Sequence, residues 1–173
     1  MWVAARSPIT FDYAVANRCN IMCWPLTFPM SEAEKYKAQL DEAIEKAGGW
    51  NGTFALMRHT SVYETADDRT ATIAAVRNVL GKFGNLIMQK GDVIDGFAEN
   101  VPLEELDGNA RVDPDMLEEN LMFGDPDTVI TKLKAYEAMG VDSFIYYASM
   151  GLDMDVQKRS LRTFIDKVMP AMA

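Results

Sequence analysis

The chain has 173 residues, about half of them apolar, which is enough for one globular core and too few for two comfortable domains. Its 26 acidic and 17 basic side chains give a formal charge of -9, a surface that repels a phosphate backbone and an anionic bilayer alike, so nucleic acid and membrane are not expected partners. No apolar run approaches the roughly 20 residues needed to cross a bilayer, and Arg6, Asp12 and Arg18 interrupt the stretch where a signal peptide would be apolar. A cytoplasmic location is expected. Cys19, Cys23 and the single His59 are too few for a structural zinc site, and two reduced, buried thiols are the expectation.

In chain order, Trp2–Ala5 is a short apolar run predicted as a buried strand, with Ser7 as N-cap and Pro8 in the first turn of a helix reaching about Asn17. Ile21–Trp24 is a second strand, stopped by Pro25. Ser31 and Glu34 have capping-box spacing and open a helix carrying Tyr36, Leu40, Ala43 and Ile44, with Gly48 and Gly49 as its stop. Residues 53–63, rich in β-branched and aromatic side chains, form a third strand, and Thr65 caps a helix that runs to Gly81.

Residues 84–120 break this rhythm, with Gly91, Gly96, Pro102, Gly108 and Pro114 scattered among acids, and are expected to form an insertion with short helical pieces, a candidate lid. Asp125–Pro126 then starts a helix ended by Gly140, residues 141–149 give a fourth strand, and a last helix spans about 155–169 with Leu161, Phe164, Ile165 and Val168 facing inward. Near-continuous apolar strands, each followed by a helix, specify an α/β fold with four parallel strands in one domain spanning 1–173.

Phe123-Gly124-Asp125-Pro126-Asp127, the segment Ala138 to Ile145, Ser160-Leu161 and Val168-Met169-Pro170 resemble the C-terminal end of the bacterial luciferase-like flavin-dependent monooxygenase family. Trp2 to Pro8 and Thr10 to Ala14 are similar to that family's fifth strand and following helix. The resemblance implies the C-terminal half of a (β/α)₈ TIM-type barrel, a fold that needs roughly 250 residues when whole. It also implies reduced FMN, supplied by a separate flavin reductase, and oxygen acting on a small organic substrate. Its alternatives are a deazaflavin-dependent oxidoreductase on the same barrel and a non-catalytic, truncated flavin-binding protein.

By that resemblance the FMN phosphate lies at the turn after the first strand, where Ser7 and Thr10 match phosphate-contacting positions and Arg6 stands ready as a guanidinium. A helix N-terminus with two hydroxyls is an anion site on physical grounds as well. Trp24 falls near a position whose backbone approaches the flavin ring in relatives, with a packing aromatic as the equal alternative. His59 is expected to be a structural residue of the third strand rather than a base, and of Tyr146 and Tyr147 one should face the barrel interior and the other the helices. Half a barrel leaves two open sheet edges, from which a homo-oligomer is expected.

Overall fold

A computed structural model of the chain describes residues 1–88, 92–99, 102–106, 108–109, 112–148 and 151–172. Strand β1 (Trp2–Ala4) leads into helix α1 (Pro8–Ala16), β2 (Asn20–Cys23) into α2 (Met30–Ala47), and β3 (Phe54–Val62) into α3 (Ala66–Met88). A short hairpin, β4 (Val93–Ile94) and β5 (Phe97–Ala98), a 3₁₀ turn (Leu103–Leu106) and α4 (Pro114–Asn120) precede β6 (Met122–Gly124) and α5 (Pro126–Ala138). Then come β7 (Ser143–Tyr147) and α6 (Met154–Thr163), which continues as a π turn (Phe164–Val168) and a 3₁₀ turn (Met169–Met172).

β1, β2, β3 and β7 pair in that order, all parallel, as expected for four successive strands of half a barrel. β6 pairs in parallel with the last three residues of β3, so β3 serves β2 and β7 along its lower part and β6 at its C-terminal end. Strand alternation sends Phe54, Leu56 and Val62 into the main core with Phe11, Tyr36, Leu40 and Tyr136 of the covering helices. Ala55, Met57 and His59 therefore occupy the opposite face, the one that looks into a barrel.

Several sequence expectations are corrected. Ser31 and Glu34 form no capping box: α2 starts at Met30 with Pro29, at φ -64°, in the N-cap position. Gly81 does not stop α3, because a glycine ends a helix by turning left-handed and Gly81 has no positive φ. The hairpin was signalled by Asp95-Gly96, whose φ values of 52° and 84° make the two-residue turn that joins right-twisted strands. β6, three buried residues long, is too short to show a period.

In the last helix Leu161 and Ile165 are exposed while Ser160, Phe164 and Val168 face inward. The centre of the buried face is a serine, whose hydroxyl accepts from the Val62 amide at 2.7 Å and pairs with the Tyr146 hydroxyl at 2.7 Å. A polar residue there is invisible to a count of apolar positions. The fourth strand is shorter than expected, and Ser149, like Gly91 of the insertion, lies outside the described residues.

Candidate functional site

The C-terminal ends of the parallel strands gather the candidate residues on one side of the sheet, where barrels of this type carry their chemistry. β1 and β2 are in register at Ala4 and Met22, the Cys23 thiol donates to the Ala5 carbonyl at 3.1 Å, and Arg6 and Trp24 follow on neighbouring strand ends. Burial pushes the Cys23 thiol up to about 12, so it is an inert part of the core.

Ser7 occupies the N-cap of α1 with Pro8 behind it. Its hydroxyl does not cap the helix backbone; it pairs with the Thr10 hydroxyl at 2.9 Å, at the surface. Two hydroxyls thus converge at a positive helix end, each with spare hydrogen-bonding capacity, while the Thr10 and Phe11 amides donate to the Ser7 carbonyl at 2.9 and 3.2 Å. Arg6, directly before Ser7, is exposed. Burial raises the Tyr36 pKa, and Arg6 partly offsets that rise.

Trp24 is half-buried and meets two rings edge-on, His59 at a centroid distance of 5.5 Å and Tyr147 at 5.7 Å. His59 in turn stacks on Tyr147 at 4.7 Å, the two being register partners of β3 and β7. The structure thus resolves the tyrosine pair: Tyr147 joins this trio, whereas Tyr146 turns to Ser160 and Phe164 on the helix side. Trp24 Nε1 and His59 Nδ1 are both buried without a hydrogen-bond partner. Burial, helped by the nearby Arg58 guanidinium, pulls the His59 pKa down to about 4, which keeps the ring neutral at pH 7.

Sequence reasoning set His59 aside as structural and left Tyr147 undecided. The signal that finds both is positional: each lies near the C-terminal end of a parallel strand, on the face opposite the helix-packed residues. Beside this trio Arg58 is fully buried, donating from Nε to the Tyr136 hydroxyl at 2.8 Å and from Nη1 to the Leu26 and Phe28 carbonyls at 3.0 and 2.7 Å. It ties the loop after Trp24 to α5.

A separate cleft of about 410 Å³ opens between the starts of α3 and α5, lined by Tyr63, Thr65, Arg69, Glu118, Thr128 and Lys132 among others. Glu118, Arg69 and Lys132 are already engaged there. Glu118 accepts from Tyr63 and from both Nε and Nη2 of Arg69, which hold its carboxyl below the usual range. Lys132 donates to the carbonyls of Glu118, Leu121 and Phe123.

Residues 1–143 match the profile of the luciferase-like monooxygenase family. The chain belongs to this family. Among its luciferase-like relatives is the oxygenase component of a flavin-dependent trigonelline monooxygenase from Acinetobacter baylyi, 31% identical over 172 residues. That match takes in 99% of this chain and 48% of the relative, so the chain spans about half the relative's length.

Two solved structures share the fold. One is a coenzyme F420-dependent tetrahydromethanopterin reductase from Methanopyrus kandleri (TM-score 0.66, 20% identity, 99% of this chain and 50% of that one). The other is the oxygenating constituent of 3,6-diketocamphane monooxygenase from Pseudomonas putida, in complex with FMN (TM-score 0.64, 14% identity, 98% of this chain and 47% of that one). Among the described residues no group of His, Cys, Asp and Glu could hold a metal ion, and no helix is long and apolar enough to cross a membrane.

Proposed function

We propose that this chain forms the FMN-phosphate end and part of the ring-facing wall of a luciferase-like monooxygenase acting on a small organic substrate. The observation that carries the reading is the Ser7–Thr10 hydroxyl pair at the start of α1, turned away from capping the helix. Family membership and the flavin-dependent relative support it. The residues fit a phosphorylated flavin: the hydroxyl pair and helix end suit a phosphate, and Trp24 Nε1 and His59 Nδ1 are buried polar atoms without partners near the same strand ends.

Ser7 and Thr10 would hold the phosphate, with Arg6 adding its charge. When bound, reduced FMN supplies the oxygen-activating chemistry. Trp24, His59 and Tyr147 wall the site and exclude water, and neutral His59 presents a nitrogen that can hold a hydrogen bond without bringing in a charge. The relative's designation as an oxygenase component favours a separate flavin reductase as partner, and a cytoplasmic, homo-oligomeric protein completes the reading.

Titration with FMN, followed by quenching of flavin fluorescence, tests the assignment. The Ser7→Ala, Thr10→Ala double variant should bind FMN at least about tenfold more weakly, the loss expected for hydrogen bonds to a charged group. Unchanged affinity would sink the phosphate site.

A further inference from the structure

The large apolar side chains left exposed among the described residues are not evenly spread. Apart from Phe28 in a loop and the segment from Phe83 to Met116, they lie on the two flanks of the sheet. On the β1 and α1 flank Trp2 is 52%, Ile9 81% and Tyr13 55% exposed; on the α6 flank Leu161, Ile165 and Met169 are 43%, 48% and 53% exposed. The helices between these flanks, α2 and α5, expose no large apolar side chain. The same flanks carry the open sheet edges, because β1 pairs only with β2 and β7 only with β3 among the described residues. On the face that looks into a barrel Met22, Met57 and Ile145 stay half-buried, whereas a parallel sheet is normally covered on both faces. The flanks also differ in sign: Asp12 is the one charged residue of α1, and α6 carries Lys158, Arg159 and Arg162 against Asp155. Each flank therefore suits the other better than it suits itself.

We propose that two copies of this chain close head to tail about a two-fold axis into one eight-stranded barrel. The β1 edge and α1 of each copy meet the β7 edge and α6 of the other. Four parallel strands per copy supply the eight of a (β/α)₈ barrel, and closure leaves neither edge open. The two contacts are identical, and they close at two copies instead of running on as a filament. Strands joined this way all run in one direction, so the Trp24–His59–Tyr147 clusters of both copies face one enclosed interior, which the second copy completes. That consequence rests on the reading of these strand ends as a flavin site; the closure stands on the flanks alone.

Sedimentation equilibrium without flavin should give twice the chain mass of 19.3 kDa. Ile9→Lys and Leu161→Glu each place a charge in both contacts and should each weaken the dimer at least about tenfold. Mixed together, the two variants form pairs with one unaltered contact and one in which the introduced charges attract. The mixture should therefore dimerise about tenfold more tightly than either variant alone. Phe97→Lys, at an apolar position on the β4–β5 hairpin that is 78% exposed, should leave the dimer unchanged. A monomer at tens of micromolar would overturn the inference and leave the flanks to a different polypeptide. So would a dimer that Ile9→Lys and Leu161→Glu leave intact, one that Phe97→Lys breaks, or a mixture no tighter than its components. FMN titration is read separately: the dimer should bind at least about tenfold more tightly than the monomeric variants, and equal binding would overturn the shared interior. A dimer with this variant pattern that takes no FMN upholds the closure and refutes the flavin reading.

Discussion

Replacing Arg58 with methionine should be among the most damaging single changes in this chain. The guanidinium is fully buried and donates to the Tyr136 hydroxyl and to the Leu26 and Phe28 carbonyls at 2.7–3.0 Å, with a longer 3.4 Å contact to the Pro29 carbonyl. Methionine fills much of the stem's volume but leaves those acceptors without a donor. Each hydrogen bond to a charged group contributes roughly 1.5–3 kcal/mol, and these are not additive. Removing one side of a buried charged network typically costs about 3–5 kcal/mol. Relief from burying a charge offsets part of this, which places Arg58→Met near 3 kcal/mol, about the lower end of that range. Tyr136→Phe, which removes a single neutral acceptor, should cost about 1 kcal/mol. Urea denaturation at constant slope measures both. The loop at residues 25–29 should also become cleavable by protease in Arg58→Met, because its carbonyls have lost their tether. A loss below about 1 kcal/mol, or an equal loss in the two variants, would refute the view that Arg58 holds this loop.

His59 carries a pH signature. Its folded pKa of about 4 lies below the unfolded value of 6.5, so its contribution is complete above pH 6.5 and is lost as pH falls towards 4, by up to about 3 kcal/mol. His59→Gln should flatten stability over that window, measured by urea midpoints at successive pH values. Lys132→Met strips three carbonyls around the α4–β6 turn of their shared donor and should cost about 2–4 kcal/mol in thermal or urea unfolding. Ser160→Ala leaves the buried Val62 amide unpaired and should cost about 1–3 kcal/mol by the same measurement. Gly124→Ala places a Cβ 2.7 Å from Thr128 Cγ2 at a φ of 145°, and a loss of about 1–3 kcal/mol should appear as a lower unfolding midpoint.

The alternation of strands and helices was legible because buried parallel strands are continuously apolar and their helices carry caps: Thr65 accepts from the Asp68 amide and Asp125 from the Thr128 amide, as the sequence suggests. The missed interior residues share a cause. Ser160 at the centre of the buried face of α6, and Arg58 and His59 within β3, are polar residues at interior positions, which an apolar period cannot detect. The anion turn was legible from residue type and order, since Ser7 and Thr10 are one helical turn apart. The aromatic trio was not, because it is assembled by register: only the pairing of His59 with Tyr147 reveals that β7 ends level with His59, before β3 does.

The polar atoms at the C-terminal strand ends differ from those that Arg58 and Ser160 satisfy inside the fold. On the helix-packed side of the sheet Arg58, Tyr146 and Ser160 are all hydrogen-bonded, as burial demands. Near the C-terminal strand ends Trp24 Nε1 and His59 Nδ1 are buried and unpaired, while the Tyr36 hydroxyl and Gln39 Oε1 are unpaired atoms on α2. An unpaired buried polar atom costs roughly 1–3 kcal/mol, so the two that share one aromatic cluster, Trp24 Nε1 and His59 Nδ1, are a standing penalty against folding unless a ligand meets them. A planar ligand with a polar edge, such as the proposed flavin, would relieve both.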